Sequence, residues 1–467
     1  MEGQASTFPG QPLRRLSGGK HEHVASLMEM LRIDLEEATL LPQQRSEVLE
    51  ELKVQSRVAD GCDPIYTIES IHTISRIALD SGPSSLSREA LRCLANIFLL
   101  NPETRQRWVD LGFSVKAAER LKIDNVEDEF LISRILFLMT YDTNLNFEPL
   151  LGQHLLAESL NTHIIRHSKR YSKSTRRHSR PLQDDDGALS ENVKLIYNII
   201  HYYPGFSDTF TTSIPHLLKI LYRRKISEQP LAAPVRYLIN LLGCLDLEDQ
   251  KCCRFTTNPL FPSSDPSCNT IHLITILEKA MDCYPEQELD ALAGPVVDIL
   301  IRIHACAPES VKKQMRALLL PINENKTSPH EASQKLPSRL LQLSTSSWTP
   351  NLRNSIQTLM FDLSDQSADT YVQNIGYSFA ASFLVTENLA IPTSASEAFS
   401  SAGQVKSVQA QKKDGEVPSR TPSLIEDKER EAEKLFRLFE RLKRTNTVKA
   451  RCPVQQAIEQ SRWEQVD

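Results

Sequence analysis

Six polar side chains recur on stretches that are otherwise apolar: Arg76, Asn96, Arg134, Asn198, Arg236 and Asn240. Amides and guanidinium groups in such a row are suited to recognition. An Asn amide pairs with the backbone of an extended or helical peptide, and an Arg fork takes a carboxylate through two parallel N–H bonds. Most of the six lie in Glu69-Ser-Ile-His-Thr-Ile-Ser-Arg76, Glu89-Ala-Leu-Arg-Cys-Leu-Ala-Asn96, Glu191-Asn-Val-Lys-Leu-Ile-Tyr-Asn198 and Pro234-Val-Arg-Tyr-Leu-Ile-Asn240. At about 100° per residue, Leu91, Leu94, Ala95 and Phe98 line one side of a helix whose other side carries Glu89, Arg92 and Asn96. Likewise Leu189, Val193, Ile196 and Ile200 oppose Glu191, Lys194 and Asn198, while Leu238, Leu241, Leu242 and Leu245 oppose Arg236 and Asn240. Stacked, such helices bury one continuous core and leave a polar ladder along one face, which is how a binding groove is built. A second reading stays open, in which each Asn bonds the end of a neighbouring helix and meets no partner. Arg134 is hemmed in by Ile132, Ile135, Leu136 and Phe137, so its burial would require an internal carboxylate.

Residue patterns for covalent chemistry are missing. Gly18-Gly19-Lys20 lacks the upstream Gly and the following Ser or Thr of a phosphate-binding loop. His21 and His23 are two apart, the wrong spacing for two metal ligands on one helix face. There is no Gly-x-Ser-x-Gly, no kinase signature and no Cys-x-x-Cys among the nine cysteines. The expectation is a protein with no catalytic residues, no metal and no cofactor. Several cysteines sit in apolar runs, which points to free thiols and a reducing, cytoplasmic setting. The first residues lack a signal-peptide core and no apolar run reaches membrane-spanning length.

The elements that must position the ladder are helices. Only 15 glycines occur in 467 residues, which disfavours hairpin-rich and dinucleotide-binding folds, and Leu, Ile, Ala, Glu, Lys and Arg dominate. A net charge of −5 gives no global case for nucleic acid. Residues 1–22 are polar and read as a tail. Helical periodicity then runs over 23–390, with helices or helix pairs near 24–57, 65–100, 103–121, 128–159, 188–202, 210–246, 270–285, 287–319, 335–346, 349–366 and 368–389. Turn residues punctuate it at Ser81-Gly-Pro, Asn101-Pro and Tyr203-Pro-Gly. A period of roughly 40 residues is near that of armadillo and HEAT repeats, so the expected fold is an all-α, right-handed armadillo/HEAT-like solenoid.

Three segments break the pattern. Residues 166–180 are basic, lack an apolar stripe and are followed by Asp184-Asp-Asp, so 166–187 reads as an insertion between helices. It is either simply solvated, or it attracts an acidic surface and is phosphorylated on its serines. Residues 258–269, rich in Pro and Ser, read as a loop. Residues 391–422 are poor in large apolar side chains and read as a linker. Over 423–467 helices return: Ser423 and Glu426 fit a capping box, and Leu435, Phe436, Leu438, Phe439 and Leu442 form an apolar stripe. That stripe is too small to bury itself and requires a surface to dock on, with Leu435, Phe436, Phe439 and Leu442 as its contacts. Ser17, after Arg14-Arg-Leu, and Thr421 and Ser423, at a helix start, are candidate phosphorylation sites.

The segments Ser87-Arg-Glu-Ala-Leu-Arg-Cys-Leu-Ala-Asn-Ile-Phe98, Phe130-Leu-Ile-Ser-Arg-Ile-Leu-Phe-Leu-Met-Thr140, Val193-Lys-Leu-Ile-Tyr-Asn198, Pro337-Ser-Arg-Leu-Leu341, Gly376-Tyr-Ser-Phe-Ala-Ala381 and Glu433-Lys-Leu-Phe-Arg-Leu-Phe-Glu-Arg-Leu442 resemble, in order and spacing, the synembryn family, its fungal members especially. The resemblance runs from about residue 60 to the C-terminus and does not extend to 166–187 or 391–422. It implies a chaperone and guanine-nucleotide exchange factor for heterotrimeric G-protein alpha subunits. By that resemblance the groove grips the C-terminal helix of the alpha subunit and the trailing helices touch the nucleotide-binding domain; the residue pattern itself makes Arg76 and Asn96 the expected anchor for a helix ending in a free carboxylate. It also implies a monomeric, cytoplasmic protein, recruited to the plasma membrane through the G protein. The alternative is a general armadillo-type peptide-binding scaffold without exchange activity.

Overall fold

The computed structural model describes residues 19–171, 183–247, 258–321 and 335–390. The chain divides into two compact units, residues 1–395 and 396–467, and all described residues belong to the first. The linker, the C-terminal helices, Ser17, Thr421, Ser423, Leu435, Phe436, Phe439 and Leu442 lie outside the described residues.

In chain order the helices are α1 (Lys20–Glu37), α2 (Pro42–Gln55), α3 (Ile68–Leu79), α4 (Ser85–Leu100), α5 (Glu103–Asp110), α6 (Ser114–Arg120) and α7 (Val126–Met139). There follow α8 (Phe147–Gly152), α9 (Leu156–Lys169), α10 (Gln183–Tyr202), α11 (Ser207–Phe210), α12 (Ile214–Arg223), α13 (Val235–Cys244) and α14 (Cys268–Cys283). The series ends with α15 (Glu286–Cys306), α16 (Glu309–Leu319), α17 (Leu336–Leu343), α18 (Pro350–Leu363), α19 (Ala368–Ile375) and α20 (Tyr377–Thr386). No strand occurs among the described residues, and the fold is all-α.

Helix neighbours define two layers. One runs α2, α4, α7, α10, α13, α15, α18, each packed on the next; the other runs α1, α3, α5 and α6, α8 and α9, α12, α14, α16 and α17. The layers join through pairs such as α3 with α4, α9 with α10 and α14 with α15. Helices pack mainly on helices near them in sequence, as in a solenoid, and one apolar core runs from Val24 to Leu384. α7 is apolar on most sides because α4 and α10 flank it in its own layer while α6 lies against it from the other.

Two adjacent carboxylates at the start of α7 tie this stack together. Asn125 caps the helix, its side chain accepting from the N–H groups of Glu127 and Asp128. Asp128, fully buried, accepts from Arg88 of α4 at 2.9 Å and from Arg120 of α6 at 3.2 Å. Glu129 is also fully buried and points the other way. It accepts from His167 Nε2 at 3.1 Å and from Asn192 Nδ2 of α10 at 3.0 Å, and it pairs with Arg166. Burial alone would raise the Glu129 pKa, but the His167 hydrogen bond and the surrounding positive charge overrule it and hold the carboxyl down to about 2. Burial keeps the neighbouring His163 imidazole below its ordinary value.

Two boundaries therefore differ from expectation. The insertion expected over 166–187 begins too early: α9 continues through Lys169, and Arg166 and His167 face an internal carboxylate. α10 begins at Gln183, still within that range. A missing apolar stripe there marks an ionic interior, not the end of a helix. α1 starts at Lys20, inside the tail expected over 1–22, and Lys20 Nζ bonds the Val58 carbonyl at 2.8 Å. All six cysteines among the described residues are free thiols.

Glu129→Ala strands three donors in the interior and is expected to cost about 3–5 kcal/mol in urea unfolding. Because the folded-state pKa is depressed, Glu129 stabilises the protein fully above its ordinary 4.5 and loses that contribution as pH falls towards about 2. Glu129→Gln should accordingly remove that limb of the acid-unfolding profile. A wild-type-like limb would assign the acid sensitivity elsewhere.

Candidate binding face on the second layer

The six sequence candidates do not share one fate. Asn96 stands on α4 and donates to Ser56 Oγ at 3.1 Å and, more weakly, to the Lys53 carbonyl. Ser56 is the C-cap of α2. Asn198 stands on α10 and donates to Thr140 Oγ1 at 2.7 Å, and Thr140 is the C-cap of α7. Both amides fasten the end of the preceding helix in their own layer. Arg302 of α15 extends the scheme, its guanidinium reaching the carbonyls of Gly243 and Leu245 where α13 ends. Helix ends leave unpaired carbonyls, and here the next helix supplies the donors.

Asn198 is only 5% exposed, so the expectation that it lines an open groove is corrected: its amide is used inside the protein. Arg76 is also misplaced by the sequence. It belongs to α3, in the other layer, where it pairs with Asp80 at 3.2 Å and borders a depression shared with Arg32, Glu36 and His72. Asp80 also binds Lys116 at 2.6 Å. Arg134 finds the internal carboxylate its surroundings demanded, Glu191, at 3.4 Å, yet its side chain keeps 34% exposure and lies over the Phe130 ring.

Arg236 and Asn240 remain. Arg236 is exposed, sits 4.7 Å over the Tyr237 ring and bonds the Tyr237 hydroxyl at 2.7 Å, all within α13. Asn240 is half-buried and makes no hydrogen bond to another described residue. The spacing is the one used twice before: Arg92 precedes Asn96, Lys194 precedes Asn198 and Arg236 precedes Asn240 by four residues, one helical turn. Glu89 binds Arg92 and Lys53, and Glu191 binds Lys194 and Arg134, so α4 and α10 repeat one arrangement. On α13 the same cation and amide stand without that carboxylate and without a cap to fasten.

Around them lies an aromatic floor that the sequence pattern did not single out. Lys194 Nζ is held by Glu191 at 2.7 Å, 4.6 Å from the Phe137 ring and 5.6 Å from Tyr237, so one cation links α7, α10 and α13. Tyr197 stacks parallel to His201 at 6.3 Å, and Tyr141 meets Phe137 edge-on at 5.3 Å. Phe137, Tyr197 and Tyr237 stand within a turn of the ladder residues Arg134, Lys194 and Arg236. Their place on that stripe was the available signal. The face thus gathers aromatic rings, a positioned ammonium, a guanidinium and an amide that bonds no other described residue. Among the described residues no group of three or more His, Cys, Asp or Glu is placed to hold a metal ion.

The described residues thus form a two-layer helical stack that carries this polar and aromatic face. The family model described as "Guanine nucleotide exchange factor synembryn" matches residues 48–462, and the chain belongs to that family. Among curated relatives, Chaperone Ric-8A of Macaca fascicularis is 25% identical over 468 residues, covering 90% of this chain and 85% of its own. Chaperone Ric-8A of Gallus gallus is 24% identical, with 90% and 85% covered. A fungal relative, the synembryn-like chaperone C3E7.04c of Schizosaccharomyces pombe, is 22% identical, with 80% and 75% covered.

Replacing Asn198 by Ala removes the donor to the Thr140 hydroxyl and should lower unfolding stability by about 1 kcal/mol. Asn240→Ala removes no internal bond and should stay within about 0.5 kcal/mol of wild type. Equal losses in thermal or urea unfolding would erase the distinction drawn between the two amides.

Proposed function

We propose that this protein is a guanine-nucleotide exchange factor and folding chaperone for G-protein alpha subunits, acting by binding and without bond chemistry of its own. Family membership and relatives named as chaperones support the class of activity. The observation that supports a place for the client is the face of α7, α10 and α13, where Arg236 is exposed and tied only within its own helix and Asn240 makes no hydrogen bond to another described residue. The C-terminal helix of an alpha subunit ends in a free carboxylate, and a guanidinium beside an unpaired amide is matched to that group. The anchor moves from Arg76 and Asn96 to Arg236 and Asn240, with Lys194 and the rings gripping the helix above it.

The work is done by unequal affinity. Holding the client's C-terminal helix away from its GTPase core favours the nucleotide-free form, so GDP leaves; by reciprocity, GTP binding expels the exchange factor. Preference for incompletely closed conformers also gives chaperone action on newly made alpha subunits. The C-terminal segment, with Leu435, Phe436, Phe439 and Leu442, supplies a second contact, and tethering raises its effective concentration. The client locates the activity in the cytoplasm and at the plasma membrane. Among the described residues no helix is long and apolar enough to cross a bilayer.

The test is GDP release from a purified alpha subunit with and without this protein. Acceleration together with a stable nucleotide-free complex is expected. Tight binding of a peptide copied from the client's C-terminal helix, with unchanged GDP release, would instead favour a general peptide-binding scaffold. Arg236→Ala and Asn240→Ala should each weaken that peptide by about 1–3 kcal/mol by calorimetry. Removing 423–467 should spare the peptide and slow exchange.

A further inference from the structure

We propose, on the reading of α7, α10 and α13 as the client's place, that Asp298 of α15 determines specificity by selecting a bound helix with a Lys or Arg on its flank towards α15. At one repeated position of this layer the charge changes sign. On α4 and α10 an amide reaches back to the end of the preceding helix, Asn96 to Ser56 at 3.1 Å and Asn198 to Thr140 at 2.7 Å. One turn before each amide, a cation reaches forward to the following helix. Arg92 donates to Glu127 of α7 at 2.9 Å, and Lys194 lies 5.6 Å from the Tyr237 ring of α13. α15 repeats both contacts. Arg302 reaches back to the carbonyls of Gly243 and Leu245 at the end of α13. One turn earlier, Asp298 reaches forward to α18 and accepts from Ser355 Oγ at 2.6 Å. Asp298 therefore stands where α4 and α10 carry Arg92 and Lys194, with the opposite charge.

Asp298 is exposed and forms no ion pair with another described residue. The Ser355 hydroxyl takes one of about four acceptor positions on its carboxylate. Arg302, one turn on, spends its guanidinium on the two helix-end carbonyls, whose partial negative charge it meets. Asp290, two turns before Asp298, is already satisfied by the Asn351 amide and the Leu352 N–H, both at 2.8 Å. A Cβ at Gly243 would lie 3.7 Å from Ile299, which sets Asp298 beside the last turn of α13, the turn of Asn240. α13 packs on α10 at one side and on α15 at the other. Packed helix axes lie about 8–10 Å apart, and a helix with its side chains is about 10–12 Å across. A helix seated on α13 therefore overhangs both neighbours, with Lys194 on one flank and Asp298 on the other. Opposite charges on the two flanks fix which way round the helix lies, and an acidic group placed over α15 is rejected.

The test is fluorescence anisotropy of the full chain with the peptide copied from the client's C-terminal helix, carrying Lys, Ala or Glu in turn at each of about ten positions before the free carboxylate, roughly three helical turns. At the position facing α15, Lys should bind about fivefold tighter than Glu. Asp298→Asn, which keeps an acceptor for Ser355, should abolish that preference, and Asp298→Lys should invert it. Glu278→Gln, on α14 in the other layer, should behave as wild type, with circular dichroism confirming that every variant folds. If binding needs Arg236 but no position prefers Lys, or the preference survives Asp298→Asn, the role of Asp298 is overturned and the client's place stands. Binding unaffected by Arg236→Ala would overturn the client's place, and the role of Asp298 with it.

Discussion

The carboxylate of Glu129, removed from water at the first turn of α7, is the interaction on which the two-layer stack turns. A lone buried charge is expensive, so it fixes its donors: His167 and Arg166 from α9 and Asn192 from α10 must all be in place. One residue earlier, Asp128 makes the same demand of α4 and α6 through Arg88 and Arg120. Leucine-rich surfaces alone tolerate sliding, because dispersion and apolar burial are nearly indifferent to register. The paired carboxylates remove that freedom at the middle of the stack. They thereby fix α7 against α10, two of the helices that carry the candidate binding face.

Along the second layer one arrangement of cation and amide is spent in two ways. On α4 and α10 the amide fastens the C-cap of the helix before it, and the cation is held by a glutamate one turn away. On α13 neither contact is made among the described residues: Arg236 bonds Tyr237 of its own helix and Asn240 bonds no other described residue. Polar groups in a solenoid thus divide between stacking the repeats and meeting a client.

Helix positions were legible because their signal is local. The 3.6-residue period predicts segments near 188–202, 270–285 and 349–366, and the structure has Gln183–Tyr202, Cys268–Cys283 and Pro350–Leu363. The period also identifies which side of each helix is apolar, as with Leu238, Leu241 and Leu242 of α13, which are buried while Arg236 is exposed. The all-α class followed from the same signal and from scarce glycine. The family could be read from the order of leucine-rich blocks taken together, no one of which is distinctive.

What the sequence alone determined is therefore the helices, their apolar sides and the kinship of the chain. The tertiary structure alone decided which polar groups are already spoken for. Asn198 finds Thr140 across 58 residues of chain, and Glu129 finds Asn192 across 63. It also placed Arg76 in the other layer, made the basic start of 166–187 part of α9, and set Lys194 between two rings from different helices. The reason is physical: periodicity records where a side chain points, whereas its partner is set by which distant helix the core brings alongside.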